Sequence, residues 1–529
     1  MNRIGWSAIR IGLCVLVIAS CDHQNTPPSE PPPATPADIQ VRQGSTIMAA
    51  GTGECVFEDV VLIDGDEGYC CGYVDFTIEN KGEENLLISG VTLSAGDTQD
   101  FDLDTQSLAP RLESSYATFF SVRFDPLSAL GTRTCDVTIS SSDEDAGEFT
   151  FSVTGSGMKK ILAADRTADN QFGSTVAVSG DTAVVPSPRY ADGTNWYQGA
   201  LYVFAQDQGG ADNWGQVKKI TAAYSGGGYG SHVAIDGDTL VTSAGGQGVV
   251  YVYYRNQGGA NNWGEVKQIT VSDSTEFGGS VDIHGDVLVV AHSGDDIDTN
   301  ENQGSAHVFY RNQGGADNWG QVKKLTASAG AESDCFGVSV AVEGDTVVVG
   351  AHGVDAFYSG QGAAYVFSRN QGGADNWGQV KRLTASDGGE KDFFGLSVDV
   401  EGDTVVVGAS QSPCAYVFQR DRGGPDFWGE VKILTAADFL MRNVAVSGDT
   451  VAACASNADS AQGAVYLFSR DRGGTDNWGQ IKKLTASDGE QLDIFGCDVA
   501  CDGATILVGA LGDDGSRGSA YIYKFGSPQ

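Results

Sequence analysis

The stretch FGVSVAVEGDTVVVGA at 336–351, followed after a loop by GAAYVFSRNQGGADNWGQVKRLTASD at 362–387, decides the fold of this chain. Versions of it recur seven times between Gly157 and Gln529. Such repetition marks one supersecondary unit that cannot bury its own apolar face and must stack on its neighbours. Trp214, Trp263, Trp319, Trp377, Trp428 and Trp478 set the period, at spacings of 49, 56, 58, 51 and 50 residues. Within one copy SVAV (339–342) alternates, TVVVGA (346–351) is an apolar run, and AAYVF (363–367) and QVKRLT (379–384) alternate again. Each run is short and bounded by Gly, Asn or Asp, which reads as four strands, with the EGD or SGD between the first two as a three-residue hairpin turn. Four strands per unit of about 50 residues is the spacing of a propeller blade.

The ends of the repeat region test closure. The last copy, IFGCDVACDGATILVGALGDDGSRGSAYIYKF (494–525), stops before any fourth strand, whereas MKKILAAD (158–165) precedes the first Phe-Gly with no blade of its own. An N-terminal strand completing the C-terminal blade closes the ring and removes two sheet edges. The fold class expected is all-β: a seven-bladed β-propeller over 158–529, preceded by a smaller β-sandwich over 38–157.

Phe-Gly at 172–173, 277–278, 336–337, 394–395 and 495–496, with Gly-Ala at 350–351, 408–409 and 509–510, resembles the FG-GAP repeat of the integrin alpha-subunit propeller. It is more similar to the bacterial form, with its Gly-Asp-Thr hairpin and Lys-Leu-Thr-Ala strand. The second copy departs with Tyr229-Gly230 and the sixth with Leu440-Met441. The integrin-type calcium loop between strands one and two is absent, because a tight turn stands there, so calcium sites do not carry over by position.

Arg3 and Arg10 flank the start of an apolar stretch, 11–18, that is too short to span a membrane. It ends Ile18-Ala19-Ser20-Cys21, which resembles a bacterial lipoprotein signal: residues 1–20 are removed and Cys21 is lipidated. The alternative is an ordinary export signal that contains a cysteine. Residues 21–37 carry six prolines and form a semi-rigid tether. The resemblance implies a bacterial envelope protein, periplasmic or at the cell surface, held to the membrane by its lipid.

FTIEN (76–80), FFSVRF (119–124), CDVTIS (135–140) and FTFSVTG (149–155) alternate between turn signals, as an antiparallel sandwich does. FTIENKGEENLLISGVTL (76–93), VRFDP (122–126) and VTISSSDEDAGEFTFSVTGSG (137–157) resemble the Ig-like choice-of-anchor D domain, which implies a spacer or adaptor. Cys55, Cys70, Cys71 and Cys135 suggest two disulfides, with three pairings open. Cys335, Cys414, Cys454, Cys497 and Cys501 stand where sister copies carry Gly, Ala or Val and read as small core residues. No Cys-x-x-Cys pair or histidine-rich tract suggests zinc, and the six histidines are scattered along the chain.

A net charge of −37 argues against nucleic acid and favours divalent cations or basic partners. A solvated acidic surface is the plainer reading. The NQGGADNWG turns are nearly identical among the copies, and their Trp is expected between blades, with Gly and Asn at positive φ. The loops joining strands two and three share little, and variable loops on a rigid frame are where binding concentrates. Trp196, Tyr197, Phe357 and Tyr358 lie in two of them and are the ligand-binding candidates, for a protein or glycan partner. The alternative is that they cover neighbouring loops. Asp295, Asp296, Asp298 and Asn300 place oxygens at alternate positions, as calcium loops do, which makes calcium the one candidate cofactor. No hydrolase or phosphate-loop motif occurs in context, so no enzyme is expected. Three functions remain open: a lipid-anchored binding or scaffolding protein, a passive envelope component, and, last, a hydrolase of unrecognised site.

Overall fold

The chain's fold, obtained as a computed structural model, is described for residues 38–43, 45–49, 54–56, 60–63, 72–124, 130–191, 193, 197–210, 213–222, 227–271, 276–355, 359–410, 414–436 and 443–525. Residues 1–37, expected to be signal and tether, lie outside them. Six four-stranded antiparallel sheets follow one another, with innermost strands Ala177–Ser179, Tyr229–Asp236, Val281–His284, Val340–Glu343, Ser397–Glu401 and Val444–Ser447. A seventh set starts at Phe495–Asp502, continues through Thr505–Ala510 and Ser519–Lys524, and takes its outermost strand from Glu148–Ile161. The arrangement is a β-propeller.

The hairpin between the first two strands is one residue shorter than the sequence suggested. Glu343 faces Thr346, leaving only Gly344-Asp345 in the turn. Gly344 has a φ of +56° and open space where a Cβ would sit, so backbone conformation alone calls for glycine there. The second strands, such as Thr346–Ala351, are buried along their whole length because each is covered on both faces by neighbouring blades.

Side chains of adjacent blades make one apolar layer per gap. Val289 and Val308 of the third blade and Val347, Val349 and Tyr365 of the fourth share a cluster with Phe336 and Trp377. The repeated tryptophans therefore pack between blades, as expected. Positive φ falls on the paired glycines, as expected (Gly314, 81°; Gly315, 135°), and also on the Asp or Asn two residues before the Trp (Asp317, 52°; Asn261, 51°) and on the Trp itself (Trp319, 48°). The Arg before each such loop lies over its ring, 5.1–5.4 Å from the centroid for Arg255, Arg311, Arg369, Arg420 and Arg470. Four of these arginines also donate to a threonine of the preceding blade, at 2.6–3.0 Å. Sequence identity on this face thus reflects inter-blade bonding.

Closure occurs as the sequence foretold: Met158 faces Tyr523 and Ile161 faces Ala520. The other edge of the same strand is covered by Val60–Ile63, running parallel to 157–160. Glu148–Ile161 also belongs to the smaller domain, since its first ten residues pair with Gly131–Ser141, so the expected 157/158 boundary falls inside a strand. There it packs, with Leu86–Ser94, against a layer of Ile39–Gln43, Gly72–Asn80 and Ala117–Phe124, burying Phe76, Phe120, Val122, Val137, Ile139 and Phe151. Cys135 is a buried free thiol, and it faces Val153 from one side while Cys55 faces Val153 from the other. Two strand spacings, about 9.6 Å, exceed the roughly 7 Å that a disulfide spans. A Cys55–Cys135 bond is thereby excluded. Cys70 and Cys71 lie outside the described residues.

At the seam Lys160 is buried, its ammonium 2.7 Å from Asp488 and 2.6 Å from Asp513. Burial works against its charge, but the two carboxylates outweigh that and raise its pKa. Lys160→Met leaves both acids uncompensated and is expected to cost about 3–5 kcal/mol. Lys391→Met, on an exposed side chain, is expected to stay within about 0.5 kcal/mol. Denaturant titration of both variants checks this, and equal stabilities would remove the seam from the closure account.

Candidate functional site

Three regions of the propeller present chemistry: its axis, the loop face and the repeated-turn face. The innermost strand of each blade is a sheet edge, whose N–H groups need acceptors. The preceding blade supplies them. Asp282 accepts from Val342 N at 2.7 Å, Asp399 from Val446 N at 2.7 Å and Asp498 from Val176 N at 2.9 Å. Nearer the hairpins, Asp236 accepts from Gly285 N, Glu401 from Gly448 N and Asp502 from Gly180 N. Ser280, Ser397, Ser179 and Ser447 do the same with their hydroxyls. These groups, with His284 bonded to Glu343 at 2.6 Å, line an axial cavity of ≈ 560 Å³. The sequence reading missed this cavity. Its signal was there, in the polar residues flanking each valine of the first strand (Ser280-Val-Asp282, Ser397-Val-Asp399).

On the loop face, Tyr197 is 52 % exposed and sits in a left-handed turn, φ 52°. Its ring lies 5.8 Å from the Arg189 guanidinium, and the neighbouring Gln198 anchors the loop by donating to Ala222 O at 2.7 Å. An exposed, cation-flanked aromatic on an anchored loop can stack on a sugar ring or a partner side chain. Trp196, Phe357 and Tyr358 lie outside the described residues, as does Cys21.

The four residues expected to bind calcium are not gathered. Asp296 accepts the Asn302 N–H at 2.8 Å, and Asn300 donates its amide to Gln303 at 2.8 Å and to Gly330 O at 3.3 Å. A bridge between Ile297 and Asn300 folds the loop on itself and puts Asp298 in a left-handed turn, φ 54°. Within the loop one oxygen of Asp296 accepts a backbone N–H, while the side-chain bonds of Asn300 run through its amide nitrogen. Asp295 alone turns inward, to Ser305 Oγ at 2.5 Å and Lys324 Nζ at 2.6 Å. There it meets His292 and His307, which are distant in sequence terms but neighbours in space.

Five segments of the chain, 156–204, 263–309, 319–367, 377–418 and 478–523, match the FG-GAP repeat. The Tyr229-Gly230 and Leu440-Met441 positions, which replace Phe-Gly in the second and sixth copies, fall between the matched segments. No curated protein matches the chain. Among solved structures, a chain of the mitotic checkpoint complex is similar at 11% identity and a TM-score of 0.44, covering 69% of this chain and 91% of that one. A protein from Lactobacillus plantarum is similar at 12% identity and 0.43, covering 67% and 93%. The WD40 β-propeller domain of Doa1 is similar at 11% and 0.43, covering 69% and 94%. The chain carries FG-GAP repeats in a β-propeller.

The axial acids make stability depend on pH. Burial pushes the Asp282 carboxyl up to about 8 and those of Asp399 and Asp498 to about 7, although each accepts backbone N–H bonds. From their ordinary 3.8 up to these values, the folded chain holds protons that the unfolded chain has released, so stability falls as pH rises through that window. Asp181, held low by Arg255, acts in the opposite sense and only near or below pH 4. The melting temperature is therefore expected to be higher at pH 7 than at pH 8.5, above the range in which the buried His232 and His307, lowered to about 4, act in the opposite sense. The triple change Asp282→Asn, Asp399→Asn, Asp498→Asn keeps an oxygen acceptor and is expected to flatten that slope. An unchanged slope in thermal melts would refute the assignment.

Proposed function

We propose that this FG-GAP β-propeller is a non-enzymatic binding or scaffolding protein of the bacterial envelope. In this reading it has seven blades, stands on an Ig-like spacer and is anchored through lipid on Cys21. It takes a protein or glycan partner on the face formed by the loops between second and third strands. The observation that supports this is the contrast between the two faces. On one, arginine, tryptophan and threonine are spent on neighbouring blades. On the other, the loops differ in every copy and Tyr197 stands exposed beside Arg189. Conserved bonding needs on one face and none on the other leave the loop face free to specialise.

At the integrin-like position a two-residue hairpin stands, and in the third loop Asp296 accepts a backbone N–H while Asp295 turns away to Ser305 and Lys324. The proposed binding is accordingly independent of calcium.

Co-sedimentation of the purified full chain with envelope fractions tests the reading. Trp196, Tyr197, Phe357 and Tyr358 changed together to Ser are expected to weaken saturable binding at least about thirtyfold, the loss of one aromatic anchor worth about 2 kcal/mol. Because these side chains sit in loops, the melting temperature should hold. Binding that survives the fourfold change would leave a passive envelope component. Retention of a Cys21→Ser chain in the membrane fraction would overturn the lipid anchor separately.

A further inference from the structure

We propose that His292, Asp295 and His307 form a site for a divalent transition-metal ion, of which zinc is the type, on the loop face of the third blade. One ligand atom from each lies within 4.8 Å of the others, the group of this kind found among the described residues. His292 Nδ1 is 3.7 Å from Asp295 Oδ2, and His307 Nε2 and Asp295 Oδ2 both contact the Ser305 hydroxyl, at 3.1 and 2.5 Å. Bonds of about 2.0–2.1 Å in a tetrahedral site put ligand atoms about 3.3 Å apart. The cluster is thus slightly open, and small side-chain rotations close it. His307 is only 5 % exposed; its Nδ1 has no hydrogen-bond partner of normal geometry, although the Gln321 side chain acts on the ring. The Gln321 side chain is therefore the group that would orient a ring ligating through Nε2.

Comparison with the sister blades shows that these residues are departures from the frame. The position of His307 is Tyr202, Tyr251, Tyr365, Tyr416, Tyr466 and Tyr521 in the other six, each in the same register on the second strand. The position of His292 is Ser187 or Ala, as at Ala244, Ala351 and Ala510. Asp295 has a counterpart in Asp513, since Gly304 N donates to Asp295 O as Gly518 N donates to Asp513 O. In the last blade the tyrosine hydroxyl donates to that aspartate at 3.0 Å and Lys160 pairs with it at 2.6 Å. The third blade keeps the aspartate and the lysine, as Lys324, but replaces tyrosine and alanine by two imidazoles. Neither change helps the frame: each removes an apolar or hydrogen-bonding fit that the other blades use. Together they build a donor set in which nitrogen outnumbers oxygen, which selects zinc, nickel or copper(II) over calcium and magnesium.

Lys324 is the built-in competitor. Its ammonium occupies the Asp295 oxygen, but the side chain is 40 % exposed and can swing out. The site does not depend on the partner reading above.

Titration of the chelator-treated full chain with Zn²⁺, and with Co²⁺ as a coloured stand-in, tests the proposal. One equivalent of zinc is expected to bind, at least about a hundredfold more weakly in a His292→Ala, His307→Tyr variant. Both changes restore sister-blade residues, so a preserved melting temperature certifies the fold. Lys324→Ala is expected to tighten binding several-fold. Identical zinc uptake by wild type and the double variant would overturn the site, since uptake would then belong to the acidic surface. A thiolate charge-transfer band with Co²⁺, or binding by Ca²⁺ that competes with zinc, would also overturn it.

Discussion

Glu148–Ile161 is hydrogen-bonded to the smaller domain along its first ten residues and to the last blade along its final four. Both domains close through it. Without its second half the last blade lacks an outer strand, the ring has two free edges, and Lys160 no longer separates Asp488 from Asp513. Val60–Ile63 then covers the remaining edge in parallel, so the strand most exposed to strand-to-strand aggregation is the one covered on both sides.

The axis solves the same problem by different means. Innermost strands cannot pair across a central cavity, so their N–H groups take side-chain acceptors from the preceding blade. Carboxylates make strong acceptors, but several in one cavity repel each other and lose hydration. The outcome is a set of acids that the fold prefers to keep protonated, beside a surface whose acids are ionised. A net charge of −37 therefore overstates what the folded chain carries at neutral pH.

Architecture was legible because a repeat constrains it many times over: the four-strand unit, its glycine turn and the displaced MKKI strand each point to one closed ring. Positions that serve as acceptors were not. In so acidic a sequence, Asp282 and Asp399 read as solvated surface, and only the edge geometry of the next blade gives them a task. The Asp295–Asn300 loop misled for the converse reason. Oxygen at alternate positions is a calcium pattern on an open loop, but here the Ile297–Asn300 bridge folds the loop on itself and the Asn302 N–H takes an oxygen of Asp296. The scattered histidines were opaque along the chain, since fifteen residues separate His292 from His307. Laying one blade on another exposes them as replacements for alanine and tyrosine. Of the aromatic loop candidates, Tyr197 is exposed as its setting suggested.

The shared strand also fixes an order of events. Met158 is made early and Tyr523 last, so the contact that completes the ring joins residues 365 apart. Closing a loop of that length costs on the order of 5 kcal/mol of chain entropy, before any native contact offsets it. The sandwich can form as soon as its own residues emerge, and it then holds the final strand of the propeller ready, extended and already hydrogen-bonded along half its length. The last blade thus arrives at a template. A chain that lost its C-terminal hairpin would keep the smaller domain and present that half-paired strand as an open edge, which makes the sandwich both the nucleus of assembly and the point of greatest aggregation risk.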